Sequence, residues 1–177
     1  PLKSVLCLDR LNAMYLDSSA RAPQDEAPEG FLARALDELG VDCRTPGADM
    51  SSVPVSGPLM VVSNHPFGVV EGLALARAVI QVRPDVKILA NHLLAAIPEM
   101  RPLLIELDPF GGVGATGRNV AGLRAALAWL KRGGALIAFP AGEVSSLAVG
   151  RRMVADPPWH SGMAALARRM GAPVLPA

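Results

Sequence analysis

Leu59-Met60-Val61-Val62-Ser63-Asn64-His65-Pro66-Phe67-Gly68-Val69-Val70-Glu71-Gly72 is an apolar run that ends in a histidine and is followed, six positions on, by a carboxylate. Leu59 to Val62 is short, partly β-branched and preceded by the Gly57-Pro58 break, so it is expected to be a buried strand. Gly72 to Gln81 is rich in Ala and Leu and free of Pro, which predicts a helix. His65 therefore stands where a strand hands over to a helix, the position at which open α/β sheets bind ligands. Glu71 follows within reach of the imidazole. The two form a candidate base and the carboxylate that orients it. A buried histidine held only for structure is the plainer alternative, and the flanking Asn64 and Pro66 with the carboxylate favour chemistry.

The pattern extends outward from this turn. Val5 to Leu16 places Val5, Leu8, Leu11 and Tyr15 near one face of an amphipathic helix, and Asp17 to Pro28 is expected to be a linker. Phe31, Leu32, Ala35, Leu36 and Leu39 form the stripe of a second helix that stops at Gly40. A short strand is expected at Val41 to Arg44. Beyond the central turn, strands are expected at Val86 to Ala90, Ile105 to Asp108, Ala135 to Phe139 and Pro173 to Pro176. Leu93 to Leu104 has helical character broken at Pro98. Arg118 to Arg132 is a helix with Val120, Leu123, Leu127 and Leu130 on one face, ended by Gly133-Gly134, and Ser161 to Met170 is another. Alternation of this kind predicts an α/β fold with a mostly parallel sheet covered by helices. Residues 1–45 would form a helical lead-in packed on an α/β domain of residues 46–177. Pro1 could follow a removed initiator Met, and the stop at Ala177, just inside a strand, suggests a chain truncated at its C-terminus.

Composition narrows the class. The 177 residues are 51% hydrophobic and 19% charged, with a formal net charge of +1, so no basic field argues for nucleic acid. Lys131-Arg132, Arg151-Arg152 and Arg168-Arg169 are local pairs expected to be solvated. Cys7 and Cys43 are far apart and belong to no CxxC, which leaves no metal site and fits a reducing compartment. No apolar run reaches the roughly 18 residues of a membrane span, and Asp9 and Arg10 interrupt any signal-like segment.

Two other blocks could carry chemistry. Gly112-Val113-Gly114-Ala115-Thr116-Gly117 matches GxGxxG, but no acidic residue lies about 20 positions on at a strand end, as a dinucleotide site needs. A backbone nest that binds phosphate or carboxylate, with Arg118 adding charge, is the intermediate reading. Phe139-Pro140-Ala141-Gly142-Glu143 follows a strand directly and would bring Glu143 to the crevice of His65. No GxSxG elbow supports a serine nucleophile. His92 and His160 are expected to be structural, the latter in a helix-entry loop, Asp156-Pro157-Pro158-Trp159-His160.

Asn-His-Pro-x-Gly with a following acid, then Phe-Pro-x-Gly, then Ala-Pro-Val-x-Pro, in this order from Pro54 to Ala177, resembles the glycerolipid/lysophospholipid acyltransferase superfamily. The set is most similar to the putative-hemolysin branch, which includes lyso-ornithine-lipid acyltransferases. In the family, His is usually followed by four residues and Asp. Here five residues separate His65 from Glu71, as in that branch, with Glu in place of Asp. Phe110 to Arg118 is an imperfect equivalent of the family's second, arginine-bearing motif. The third, Phe-Pro-Glu-Gly-Thr-Arg-Ser, has Ala141 for its Glu, Glu143 for its Thr and Val144 for its Arg. Loss of that arginine removes a phosphate-binding fork and favours a lysolipid without a phosphomonoester.

The resemblance implies acyl transfer from acyl-CoA or acyl-ACP, used as substrate with no bound cofactor, to a lysolipid hydroxyl. His65 would act as base and Glu71 as its orienter. Asn64, Gly68, Arg118, Phe139, Pro140, Gly142 and Glu143 would bind substrate, with oxyanion donors near Gly68 or Gly142. Ala172 to Pro176 would line the acyl or acceptor groove. A lipid product implies peripheral attachment to the cytoplasmic face of the membrane through the N-terminal helix. A non-catalytic lipid or acyl-carrier binding module, and a nucleotide-binding oxidoreductase, are the rival readings.

Overall fold

Leu59–Val62 forms a strand, β1, whose side chains are all buried. The structure is a computed structural model and describes residues 8–44, 50–109, 111, 113–148, 150 and 152–177. Before β1 come helices α1 (Leu8–Arg21) and α2 (Pro28–Glu38). After it follow α3 (Val69–Ile80), β2 (Val86–Asn91), the 3-10 turns His92–Ala96 and Pro98–Leu103, β3 (Leu104–Leu107) and α4 (Ala115–Lys131). The rest comprises β4 (Ala135–Ala138), β5 (Ser146–Ala148), β6 (Met153–Ala155), α5 (Ser161–Met170) and β7 (Val174–Pro176).

Five strands form one parallel sheet in the order β3-β2-β4-β1-β7, with Leu59 opposite Ala135 and Met60 opposite Val174. The expected α/β fold is the observed one. Successive strand residues face opposite ways, so β1 feeds two cores. Leu59 and Val61 pack with Phe31, Leu32 and Leu36 of α2 and with Leu73, Ala76 and Val79 of α3. Met60 and Val62 pack with Ala126 and Leu130 of α4 and Leu166 and Ala167 of α5. Leu32 and Leu36 are fully buried, and burial of each such side chain contributes about 1.5–3 kcal/mol, which anchors α2 on the sheet. Tyr15 and Ser19 of α1 donate to Glu99, at 3.0 and 3.5 Å, and Arg34 is bridged to Glu26 and Ser18.

Several local expectations change. Asp17 to Arg21 is the last turn and more of α1, not linker, supported by an Arg21–Asp17 pair at 2.9 Å; Val5 lies outside the described residues. Val41 to Arg44 is not a strand. The Val41 amide closes α2 by donating to Leu36 O, and both outer edges of the sheet, β3 and β7, are formed by other segments. Pro98 does separate two helical pieces, and both are 3-10 turns. The antiparallel pair β5–β6 had no forecast from the chain pattern.

Helix α4 starts three residues early, behind Gly114 at φ 84°, and of the expected stripe it buries Leu130 and packs Leu127 on the core, but not Val120 or Leu123. Ala115, Gly122, Ala126 and Leu130 face inward, while Val120 and Leu123 are 42% and 41% exposed. The cause is a close approach to β3: a Cβ on Gly122 would lie 2.3 Å from Glu106 O and 2.7 Å from Leu107 Cδ2. Gly122→Ala gains up to about 1 kcal/mol of helix propensity. A clash with a backbone oxygen outweighs that gain, and overpacking of this kind costs about 1–3 kcal/mol. Urea unfolding should show Gly122→Ala less stable than wild type; a more stable variant would show that α4 can move away freely.

Candidate active site

Because β1 and β4 are adjacent and parallel, the loops leaving their C-terminal ends emerge side by side. The first, residues 63–68, carries His65. The second, residues 139–145, carries the Phe-Pro block. The Phe139 ring stacks on the His65 ring with centroids 4.3 Å apart, and its far edge lies over Gly72 of α3. The two sequence motifs thus meet ring to ring.

Glu71 is held by the start of α3. The helix begins at Val69 rather than Gly72, behind Gly68 at φ 73°, a conformation that suits glycine. Glu71 is then the third helical residue and reaches back to accept the amides of Gly68 at 3.0 Å and Phe67 at 3.1 Å. This fixes a carboxylate oxygen 2.7 Å from His65 Nδ1. The oxygen lies off the ring N–H direction, so the pair is in close electrostatic contact without an aligned hydrogen bond. Catalytic hydrogen bonds often tighten only when substrate binds. His65 and Glu71 side chains are 20% and 16% exposed, a largely dry setting for the pair. Nε2 makes no hydrogen bond to a described residue.

Asp156, absent from the expected set, closes the site from behind. Its Oδ1 accepts the His65 amide at 3.1 Å and the Ser145 hydroxyl, and its Oδ2 accepts Trp159 Nε1 at 2.9 Å. The Ser145 amide donates to His65 O at 2.8 Å. Burial alone would raise the Asp156 carboxyl; the bonds from Ser145, Trp159 and the His65 amide outweigh it and hold the group below its ordinary value. Its only forewarning in the chain was its place in the loop before α5. His160, expected to be structural, donates its amide to Pro140 O at 2.9 Å, and its ring edge faces Gly142.

A cleft of about 580 Å³ opens beside this assembly, lined by Asn64, Pro66, Phe67, Ser145, Val154, Ala155, Asp156 and Trp159. Its described lining includes one carboxylate and no Lys or Arg. Asn64, Phe139, Pro140, Gly68 and Gly142 all lie in the two loops at this end of the sheet. The Gly68 and Gly142 amides, however, are already used by Glu71 and by Phe139 O, so neither is a free oxyanion donor. Glu143 is exposed in the second loop, and Val144 is the residue that approaches Gly68.

Arg118 is not brought to His65. It follows β3, three strands from β1, about 14 Å away at normal strand spacing. There it is paired with the buried Asp108. Gly112 and Phe110 lie outside the described residues. Among the described residues no group of three or more His, Cys, Asp or Glu side chains is gathered to hold a metal ion. Nor is any described helix long and apolar enough to cross a membrane.

A family model described as "Acyltransferase" matches residues 17–176. No curated protein matches the chain. With nearly its whole length covered by that model, the chain belongs to this acyltransferase family.

Proposed function

We propose that the protein is an O-acyltransferase that moves a fatty acyl group from acyl-CoA or acyl-ACP to the hydroxyl of a lysolipid, as in the putative-hemolysin branch. The observation that carries this reading is the His65–Glu71 pair, set over Phe139 at the ends of β1 and β4. His65 Nε2 removes the proton of the acceptor hydroxyl while its oxygen attacks the thioester carbonyl. Glu71, at Nδ1, stabilises the imidazolium that forms. Collapse of the tetrahedral intermediate breaks the C–S bond, and the imidazolium returns its proton to the departing thiolate. No acyl-enzyme is required.

The acceptor is a lysolipid without a phosphomonoester. Support comes from Val144 in place of the family's arginine and from a cleft whose described lining includes Asp156 and no Lys or Arg. Arg118, at the same C-terminal end of the strands but beyond edge strand β3 and already paired with Asp108, is placed only for the distal part of a long donor. Helices α1 and α2 are the lead-in of the domain in this reading, and the exposed Leu11 and Leu16 on α1 suit peripheral attachment to the cytoplasmic membrane face.

Labelled acyl-CoA and acyl-ACP, offered with lyso-ornithine lipid, lysophosphatidate and uncharged lysolipids, test the reading. Acylation of a non-phosphate acceptor is expected, with lysophosphatidate at least about tenfold slower, the effect of some 1.4 kcal/mol in the transition state. Preference for lysophosphatidate would reverse the acceptor assignment. Absence of transfer to every lysolipid would remove the acyltransferase reading.

A further inference from the structure

We propose that Asp156 is a positioning residue for His65, acting through the peptide backbone rather than on the reacting atoms. In its catalytic meaning the proposal rests on the acyl-transfer reading above. The geometry is that of a strap. The His65 N–H is taken by Asp156 Oδ1 at 3.1 Å and the His65 C=O by the Ser145 amide at 2.8 Å. The Ser145 hydroxyl donates to the same Asp156 oxygen, so one carboxylate oxygen joins both contacts. Trp159 Nε1 holds the other oxygen at 2.9 Å.

Ser145 stands immediately before β5 and Asp156 immediately after β6, so the base of the β5–β6 pair is pinned to the His65 peptide. Glu71 and Phe139 orient the ring, but neither fixes the peptide that carries it. The peptide sits in a loop just beyond β1, after the sheet's own ladder has ended: Ser63 N–H still bonds Ala138 O, and the His65 amide has left the sheet for Asp156. A carboxylate is suited to this task because it accepts three donors at once and offers none in conflict. Asn64, Ser145 and Asp156 also line the cleft, so the strap and the cleft wall are one structure.

A base displaced by about 1 Å can lose 100-fold in rate, which sets the size of the effect. Asp156→Ala, Asp156→Asn and Ser145→Ala are compared with wild type by steady-state kinetics, by thermal unfolding and by NMR hydrogen exchange at the His65 amide. Asp156→Ala should lower kcat about 100-fold, a larger effect than any change in KM that loss of a cleft-lining carboxylate brings. It should also speed exchange at His65 while leaving the β1 amide of Val61 protected. Asp156→Asn, which keeps an accepting Oδ1, should recover to within about tenfold of wild type. Ser145→Ala removes one hydroxyl from an intermediate position, and a smaller change in the same direction is expected at both readouts.

Unchanged kcat and unchanged His65 protection in folded Asp156→Ala would overturn the proposal, as would a loss of rate explained entirely by a lower folded fraction. If Asp156→Ala does not fold, Ser145→Ala decides: unchanged exchange and rate count against the strap. Wild-type protein that transfers no acyl group would remove the acyltransferase reading, while exchange at His65 would still report whether Asp156 holds it.

Discussion

His65→Ala should lower acyl transfer about 10³-fold, or about 4 kcal/mol in the transition state, with the fold intact. The size follows from the role. General-base catalysis contributes roughly 10² to 10⁴, and among the described residues no second base touches the same position. Asp156 meets the His65 backbone and not its ring, and His160 faces Gly142. Stability should change little, because His65 lies outside both cores and its ring contributes only the stack on Phe139 and the contact with Glu71, whose carboxylate keeps the Gly68 and Phe67 amides.

Glu71→Gln separates orientation from capping. Glutamine still offers a carbonyl oxygen to the Gly68 and Phe67 amides, so α3 keeps its start, but the charge beside Nδ1 is gone. Activity should fall roughly 10- to 100-fold without a matching loss in stability, each tenfold corresponding to about 1.4 kcal/mol. Glu71→Ala should lose the cap as well, at about 1 kcal/mol. Circular dichroism with kcat measured on the three variants checks the set. A folded His65→Ala with wild-type rate would end the proposed mechanism.

What the chain disclosed depended on distance along it. Strand β1, the start of β4 and the His65–Glu71 spacing were readable because the signals are local: an apolar run, a glycine stop, a carboxylate within a turn. The Phe139 block was placed at the same crevice because parallel strands open their loops at one end of the sheet; Phe139 does meet His65 there, while Glu143, the residue expected to face the crevice, is exposed and does not line the cleft. Asp156 was not readable, because its partner lies 91 residues away and a carboxylate in a Pro-rich loop signals nothing by itself. The N-terminal half of α4's buried face, at Val120 and Leu123, was misjudged for a related reason, while Leu127 and Leu130 pack as expected. Periodicity counts apolar side chains, and here the inward face was set by the absence of one, at Gly122. The β5–β6 pair escaped because its residues are largely exposed, so no core-facing alternation marks them. Glu71 shows a residue whose chemistry was legible and whose structure was not: the helix had to begin at Val69 for its carboxylate to be held.

Arg83 carries the largest expected loss of stability. It lies in the Arg83-Pro84-Asp85 segment that leads into β2, and its side chain is 1% exposed. It donates to both oxygens of Asp85, at 2.8 and 2.9 Å, and to Pro54 O, Gly57 O and Gly133 O, at 2.8, 2.9 and 2.7 Å. Those carbonyls belong to the segment entering β1 and the turn entering β4, so one guanidinium ties together the ends of the sheet opposite His65. Arg83→Met fills the volume but leaves three carbonyls and a carboxylate without their donor. The Asp85 side chain is 39% exposed and its freed carboxylate is solvated by water, so the loss comes mainly from the carbonyls, at about 1–3 kcal/mol for each one left without a donor. Arg83→Lys, with fewer donors and no planar fork, should fall between the two. The guanidinium also holds the Asp85 carboxyl below its ordinary value, against the opposing effect of burial. A depressed carboxylate contributes its stability above the unfolded value, about pH 4, and loses it as pH falls through the folded one. Arg83→Met should therefore lower stability most at neutral pH, and its deficit relative to wild type should shrink as the pH falls through the folded value of Asp85. Urea unfolding from pH 7 to pH 3 measures both effects. A variant within about 1 kcal/mol of wild type at pH 7 would mean that water replaces the guanidinium at little cost, and that the two strand entries hold together without it.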